Sequence, residues 1–204
     1  MSDCIISLCD KSGNMLKPWA AAGYECYAVD VQHSIRRERV EGNIHYVWGD
    51  IRSWFPPARP HILFAFTPCT DLCGSGARDW AQKHWPMLRD GIDLFHAAYM
   101  AAQWAKCPYM LENSVGRIPS WYTGHQHTFH PWQYGADYQK LTCIWAGGGF
   151  VMPEPTVVVK PDTCSQKIWK MPPTRNRADL RSETSMYFAR AVFEANRRLV
   201  KAQT

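Results

Sequence analysis

Residues 5–30 decide the fold, and they read IISLCDKSGNMLKPWAAAGYECYAVD. An apolar run at 5–9 comes first and predicts a buried strand. A turn and a short helix over 13–22 follow, and a second apolar run at 24–30 predicts another strand. Because a strand, a helix and a second strand in this rhythm usually form parallel neighbours, the stretch predicts a β-α-β unit.

The same alternation continues along the chain. Five further strands are predicted, at residues 44–50, 62–68, 108–114, 141–147 and 156–159. Helices are predicted at 78–106 and 183–201, with Pro86 as a break or a new first turn and Ser182 as the N-cap of the last helix. This order indicates an α/β fold, with a mostly parallel seven-stranded sheet flanked by helices in a single domain over 1–204. Residues 150–182 are expected to form a short loop-rich stretch.

The amino-acid composition limits the classes of protein to which this chain can belong. Of 204 residues, 46% are hydrophobic and 20% are charged, which is typical of a soluble globular domain and excludes a disordered chain. No apolar run is long enough to span a membrane and the first residues lack signal-peptide features, so a cytoplasmic location is expected. The eight cysteines are then expected to be thiols, and their spacing lacks the paired CxxC motifs of a zinc site.

The net charge of +5 is compatible with a polyanionic partner, although it decides little by itself. Two arginine clusters are open to two interpretations, as phosphate contacts or as solvated faces. These clusters are Arg36, Arg37 and Arg39, and Arg175, Arg177 and Arg181.

Acidic residues follow several predicted strands, where parallel sheets bind their ligands. Asp30 ends the second strand, a position from which a carboxylate accepts hydrogen bonds from ribose hydroxyls. Asp50 ends the third, where a carboxylate can meet an adenine amino group. Each alone is also typical of a turn, but together, after the turn at 12–14, they favour an adenosyl ligand.

Cys69 follows the fourth strand directly after Pro68, in the stretch FTPCTDLCGSG. A thiol at such a strand end is accessible and can be activated, although an isolated cysteine is more often a small buried hydrophobe. Glu112 and Asn113 on the adjoining predicted strand favour the catalytic interpretation. A thiolate adding to carbon 6 of cytosine, with a carboxyl group bonding N3 and the exocyclic amine, makes carbon 5 nucleophilic towards a sulfonium methyl group. A cytosine in a duplex would have to be flipped out to reach these groups.

These segments together resemble the cytosine-carbon-5 DNA methyltransferases, especially the short forms of bacteriophages and prophages. Residues 7–30 are similar to the cofactor-binding first motif, GDI at 49–51 to the adenine-contacting motif, and TPC at 67–69 to the Pro-Cys nucleophile motif. ENS at 112–114 is similar to the Glu-Asn-Val motif. HTFHPWQYGADYQKLTCIW at 127–145 resembles the basic motif, and ETSMYFARAVFEAN at 183–196 the closing motif. The resemblance covers nearly the whole chain in the expected order.

The resemblance implies a Rossmann-like methyltransferase fold, S-adenosylmethionine as methyl donor with S-adenosylhomocysteine as product, DNA as partner, and a role in restriction evasion. It implies no obligatory protein partner and no metal. It assigns catalysis to Pro68, Cys69, Glu112, Asn113 and Lys140. It assigns the cofactor site to Cys9, Asp10, Lys11, Ser12, Gly13, Asn14, Asp30, Val31, Asp50, Ile51 and Thr67.

The sequence departs from the family at several points. Lys11 lies where the first motif is glycine-rich, and it can meet the carboxylate of the cofactor or face solvent. Leu141 lies where arginine is common, so Lys140 is the only basic residue there, and the serine in ENS is a minor change. The segment between Gly149 and Glu183 is too short for a target-recognition domain. It predicts low or very short sequence specificity, with DNA held mainly through its backbone charge.

Three alternatives remain beside this interpretation. A zinc deaminase requires HxE and PCxxC, whereas this chain has no HxE and reads PCTDLC, and the histidines at 125, 127 and 130 are more typical of structural or substrate-contacting residues. The same chemistry can act on a nucleotide or a single strand, or transfer a group other than methyl. A decayed methyltransferase fold that only binds nucleic acid is the third, and Leu141 is the reason to consider it.

Overall fold

A computed structural model describes residues 4–74, 81–121, 124–172, 174 and 177–201. The strands of this part of the chain are β1 (Cys4–Leu8), β2 (Glu25–Asp30), β3 (Arg39–Glu41), β4 (Ile44–Trp48), β5 (Ile62–Phe66), β6 (Tyr109–Ser114), β7 (His127–Phe129) and β8 (Thr142–Gly147). The helices are α1 (Lys17–Ala21), α2 (Trp85–Ala105), α3 (Ile118–Trp121), α4 (Lys167–Lys170), α5 (Arg177–Ser182) and α6 (Met186–Lys201).

All eight strands form one sheet in the order β3-β4-β2-β1-β5-β6-β8-β7. The strands from β4 to β6 in this order are parallel to one another, whereas β3, β8 and β7 each pair antiparallel with their neighbours. The predicted α/β class and the mostly parallel sheet flanked by helices are confirmed. The predicted count of seven strands is wrong by one.

The sheet separates two apolar cores, and β1 contributes side chains to both of them. Every residue of β1 is buried. Because successive side chains of a strand point to opposite faces, Ile5 packs in the core that contains Trp19 of α1 and Phe188 of α6. Ile6 packs on the other face, in the core that contains Phe95 of α2. A strand covered on both faces therefore reads as an uninterrupted apolar run.

One predicted strand is wrong and two were missed. Residues 156–159 form no strand, because the amides of Thr156 and Val157 both donate to the single carbonyl of Gln133 and Val158 and Val159 are exposed. The missed strands β3 and β7 have only three residues each and lie at the two edges of the sheet. Because these edge strands are so short, they contain no apolar run from which they could be predicted.

The predicted helices are all longer than the observed ones. The first shrinks to α1 because residues 14–16 form a turn, and the second begins at Trp85, with residues 75–80 lying outside the described part of the chain. Pro86 lies in the first turn of α2, which confirms the new first turn expected there. Ser182 is not an N-cap: it is the last residue of α5, and its hydroxyl donates to the carbonyl of Asp179.

The strand order defines where a ligand can enter. From β1 the sheet continues through β2 and β4 on one side and through β5 and β6 on the other. A crevice opens beyond the carboxyl ends of the strands where the order reverses in this way. In the described ranges no helix combines the length and the apolar character needed to cross a bilayer.

Candidate active site

A cleft of about 1440 Å³ lies at the carboxyl edge of the sheet. It brings together most of the residues predicted for catalysis and for the cofactor: Cys9, Asp10, Lys11, Ser12, Asn14, Asp30, Val31, Asp50, Ile51, Thr67, Pro68, Cys69, Glu112 and Lys140. Gly13 and Asn113 are not among its lining residues. Side chains that lie far apart in sequence therefore share one open space on one edge of the sheet.

Asp10 organises the loop that follows β1. It is buried, and its carboxylate accepts hydrogen bonds from the Ser7 hydroxyl at 2.8 Å, the Ser12 hydroxyl at 3.0 Å and the Gly13 amide at 2.7 Å. Burial raises the pKa of Asp10, although these three donors oppose the rise. Its carboxylate therefore stabilises the conformation of this loop.

The same loop requires glycine at position 13. Gly13 has φ +64°, and a Cβ there would lie 2.9 Å from the ring of Tyr46. A side chain is disfavoured both by this conformation and by the tyrosine beneath it. Gly13 therefore contributes its backbone amide, which donates to Asp10, and is not a lining residue of the cleft.

Asp30 and Asp50 close two neighbouring strands but differ in what they bind. Asp30 is buried at the end of β2 and accepts a hydrogen bond from the Gln32 amide at 2.8 Å. Asp50 is held by its neighbour Arg52, whose Nε lies 2.9 Å and Nη2 2.6 Å from the two carboxylate oxygens. The Arg52 guanidinium holds the pKa of Asp50 below its usual range. Asp50 is therefore already paired, and Arg52, two positions on, was not foreseen.

Lys11 is paired with a protein carboxylate. Its Nζ lies 2.6 Å from Oδ2 of Asp179, on α5, and both side chains are partly exposed. Residues of α5 also line the cleft. The ion pair thus joins the loop after β1 to α5. This arrangement has no local sequence signal, because 168 positions separate the two residues.

The loop that carries Cys69 is fixed at both ends. At its start, Asn113 Nδ2 donates to the carbonyl oxygen of Thr67 at 3.0 Å and to its hydroxyl at 3.1 Å. After Cys69 the chain makes a tight turn, because the Cys73 amide donates to the Cys69 carbonyl at 2.8 Å. Asn113 is buried behind the loop. This residue, which was predicted to belong to the catalytic set, therefore supports the loop that carries Cys69.

A short bridge holds the other end of this loop. The Gly74 amide donates to the carbonyl of Val115, and the Arg117 amide donates to that of Leu72, each at 2.8 Å. Gly116 lies between them, and a Cβ there would come within 2.1 Å of the Leu72 carbonyl oxygen. This close backbone approach demands glycine.

Cys69 lies among groups with opposing effects on its thiol. A hydrogen bond with Cys73 and burial raise its pKa well above the ordinary value, and the Glu112 carboxylate acts in the same direction. Lys140 and a hydrogen bond with the Ser114 side chain favour the thiolate. The thiol is therefore protonated at rest, with a cation and a hydroxyl beside it.

Glu112 and Lys140 form an ion pair within the cleft. Glu112 Oε1 lies 3.4 Å from Lys140 Nζ, and both side chains are mostly buried. Burial would lower the pKa of Lys140, but Glu112, Cys69 and Tyr138 together outweigh it and the pKa is raised. Lys140 therefore stays cationic at neutral pH. Leu141 is 45% exposed beside it.

The arginine clusters contribute to the cleft only in part: Arg39, Arg177 and Arg181 line it. Arg36 and Arg37 are exposed, Arg39 pairs with Glu41 at 3.2 Å, and Arg175 lies outside the described residues. His125 packs on Trp145 and His130 stacks on Trp132, and no group of metal-binding side chains occurs in the described ranges.

No protein-family model matches this chain, and no curated protein matches it either. The chemistry of the cleft is therefore the basis for assigning a function.

Proposed function

We propose that this chain is a DNA cytosine-carbon-5 methyltransferase with Cys69 as nucleophile. One observation carries the proposal: Cys69, Glu112 and Lys140 line the same cleft, with the carboxylate and the ammonium 3.4 Å apart. A thiol, a carboxyl group and a cation are what cytosine needs to be attacked at carbon 6 and held at its polar edge.

The fold supports an adenosyl ligand in the other part of this cleft. With the short edge strand β3 set aside, the parallel strands follow the order third, second, first, fourth, fifth along the chain. That is the order of Rossmann-like nucleotide-binding sheets, which hold the ligand beyond the carboxyl ends next to the first strand. We therefore propose a Rossmann-like methyltransferase fold.

The residues at these strand ends fit S-adenosylmethionine. We assign Asp30 to the ribose hydroxyls, Val31 and Ile51 to apolar contacts with the adenosyl group, and the backbone of the 9–14 loop to the methionine end. Asp50 keeps its carboxylate on Arg52, so it shapes the adenine end indirectly. When bound, S-adenosylmethionine supplies an electrophilic methyl group on its sulfonium sulfur.

The chain's own residues carry the remaining steps. The Cys69 thiol loses its proton to water, and the thiolate forms a bond to carbon 6 of cytosine. Glu112, protonated when the base is bound, donates to N3 and accepts from the exocyclic amine, and Lys140 donates to the carbonyl oxygen of the base. The electron pair displaced from the double bond between carbons 5 and 6 then makes carbon 5 nucleophilic. After carbon 5 has gained the methyl group, its proton passes to water, the bond between sulfur and carbon 6 breaks, and Cys69 is regenerated.

DNA is the proposed substrate because the protein carries a net charge of +5 and because Arg177 and Arg181, at the cleft, can contact phosphates. The chain between Gly149 and Glu183 contributes only the short helices α4 and α5 and irregular segments in the described ranges. Such a stretch favours weak dependence on the sequence around the target cytosine.

Transfer of a labelled methyl group tests the proposal. Purified protein is incubated with labelled S-adenosylmethionine and duplex DNA, single-stranded DNA or deoxycytidine monophosphate, beside Cys69→Ala and Glu112→Gln. Transfer to DNA that is lost in Cys69→Ala is expected. Transfer to the monomer alone would overturn the DNA substrate, and DNA binding without transfer to any substrate would indicate a decayed fold.

A further inference from the structure

Ser114 ends β6 on the same side as Glu112. Because side chains alternate along a strand, residues two apart share a face, and both Glu112 and Ser114 line the cleft. Asn113, between them, points the other way and is buried against Thr67. The strand thus presents a carboxyl group and a hydroxyl side by side to the same space.

Ser114 lies beside the Cys69 loop, because its neighbour Asn113 donates to Thr67 before Cys69 and its neighbour Val115 accepts from the Gly74 amide after it. Cys69 and Ser114 both line the cleft, and the Ser114 side chain acts to lower the pKa of Cys69.

Among the described residues, three further groups face the sulfur of Cys69: Cys73 from the same loop, Glu112 from β6 and Lys140 from the segment before β8. Lys140 divides its charge between the sulfur and Glu112, to which it is ion-paired. Cys73 and Glu112 disfavour the thiolate, whereas Lys140 and, after it, the Ser114 hydroxyl favour it.

We propose that Ser114 is a positioning residue that orients Cys69 and stabilises its thiolate through the serine hydroxyl. The place of this step in catalysis rests on the proposed function, whereas the effect on the thiolate does not. Valine, which the family resemblance expects at this position, has no donor to offer. Ser114 is therefore part of how this chain activates its nucleophile, and not a neutral replacement.

The matched pair Ser114→Thr and Ser114→Val tests the proposal, because threonine and valine share a shape and only threonine keeps a hydroxyl. The alkylation rate of Cys69 by iodoacetamide is measured against pH, with peptide mass spectrometry separating Cys69 from the other cysteines. Near neutral pH, Ser114→Val is expected to react about tenfold more slowly than the parent protein. The slowing should be of similar size at every pH between about 7 and 9, because the raised pKa of Cys69 lies above this range. Ser114→Thr should follow the parent.

Ser120→Ala, which removes an exposed hydroxyl from α3, is the control and should leave the profile unchanged. If Ser114→Val does not fold, Ser114→Ala removes the donor without adding bulk and should show the same slowing. A valine or alanine profile that coincides with the parent profile would overturn the proposal.

Methyl-transfer assays on the same proteins separate this inference from the function. A fall in kcat with an unchanged KM in Ser114→Val, restored in Ser114→Thr, would support both. A shifted alkylation profile in a protein that transfers nothing would sustain the role of Ser114 and contradict the proposed function. Active protein with an unshifted valine profile would contradict only the role of Ser114.

Discussion

Cys69 shows at the scale of one residue what sequence reveals and what it hides. The Pro-Cys pair after an apolar strand predicts its position, and the structure places it in the cleft with Glu112. Its ionisation could not be predicted, because the groups that set it come from three different segments of the chain. From sequence, the serine in ENS reads as a minor change for the same reason, although its spacing of two from Glu112 indicates that both side chains share one face of the strand.

The raised pKa of Cys69 predicts how the reaction depends on pH. The hydrogen bond with Cys73 and burial raise this pKa, so only a small fraction is thiolate near neutrality. Below that pKa the thiolate fraction grows about tenfold per pH unit, so kcat should rise steadily from about pH 7 to about pH 9. Lys140 stays cationic across this range because its pKa is raised. A flat or falling profile would contradict a thiol nucleophile with these neighbours.

Asp10 predicts a large effect on stability. Asp10→Ala leaves the Gly13 amide and the hydroxyls of Ser7 and Ser12 without their acceptor in a buried loop. The free energy of unfolding should fall by about 3 kcal/mol in urea titrations.

Asp50→Ala is the matched control. It removes a partly exposed carboxylate whose partner, Arg52, is also exposed, so the loss should stay below about 1 kcal/mol. Equal effects of the two substitutions would show that Asp10 does not hold the loop after β1.

At the scale of elements, burial decides what sequence can predict. The central strands β2, β4, β5 and β6 lie within predicted apolar runs, and β1 begins one residue before its predicted run, because a sheet covered on both faces needs such runs. The strands β3 and β7 have three residues and owe their existence to a neighbouring strand. Residues 156–159 were predicted as a strand that the structure does not contain. Val158 and Val159 are exposed, and an apolar run that pairs with no neighbouring strand forms no strand.

The bridge between the Cys69 loop and the segment after β6 gives a prediction at this scale. Gly116→Ala places a methyl group 2.1 Å from the Leu72 carbonyl oxygen, so one of the two backbones must move. Methyl transfer should fall by more than about tenfold, since small displacements of a nucleophile are costly.

Gly74→Ala is the control from the same bridge, because its Cβ would lie 3.4 Å from the Val115 carbonyl oxygen, an ordinary contact. It should keep most of the activity. Full activity in Gly116→Ala would show that the bridge does not position Cys69.

At the scale of the whole molecule, the cleft assembles contributions that no single motif contains. Lys11 and Asp179 join the beginning of the chain to α5 near its end, and Lys140 reaches Glu112 from the segment before β8. The predicted motifs identified most of the residues that line the cleft. Their pairing, including the ion pairs that occupy Lys11 and Asp50, followed only from the fold.

The short segment between β8 and α6 predicts how the molecule selects its target. DNA affinity should fall steeply as salt concentration rises and should be similar for unrelated duplexes at equal salt, as measured by fluorescence anisotropy. Strong preference for one short duplex, retained at high salt, would reveal base-specific contacts and contradict this expectation.

The central claim is that Cys69 and Glu112 modify cytosine at carbon 5. It is tested most directly by mass spectrometry of nucleosides from the DNA of cells expressing the protein, compared with cells expressing Cys69→Ala. The account predicts 5-methyldeoxycytidine in the first sample and its absence from the second. No modified cytosine with the parent protein, or equal modification with both proteins, would contradict it.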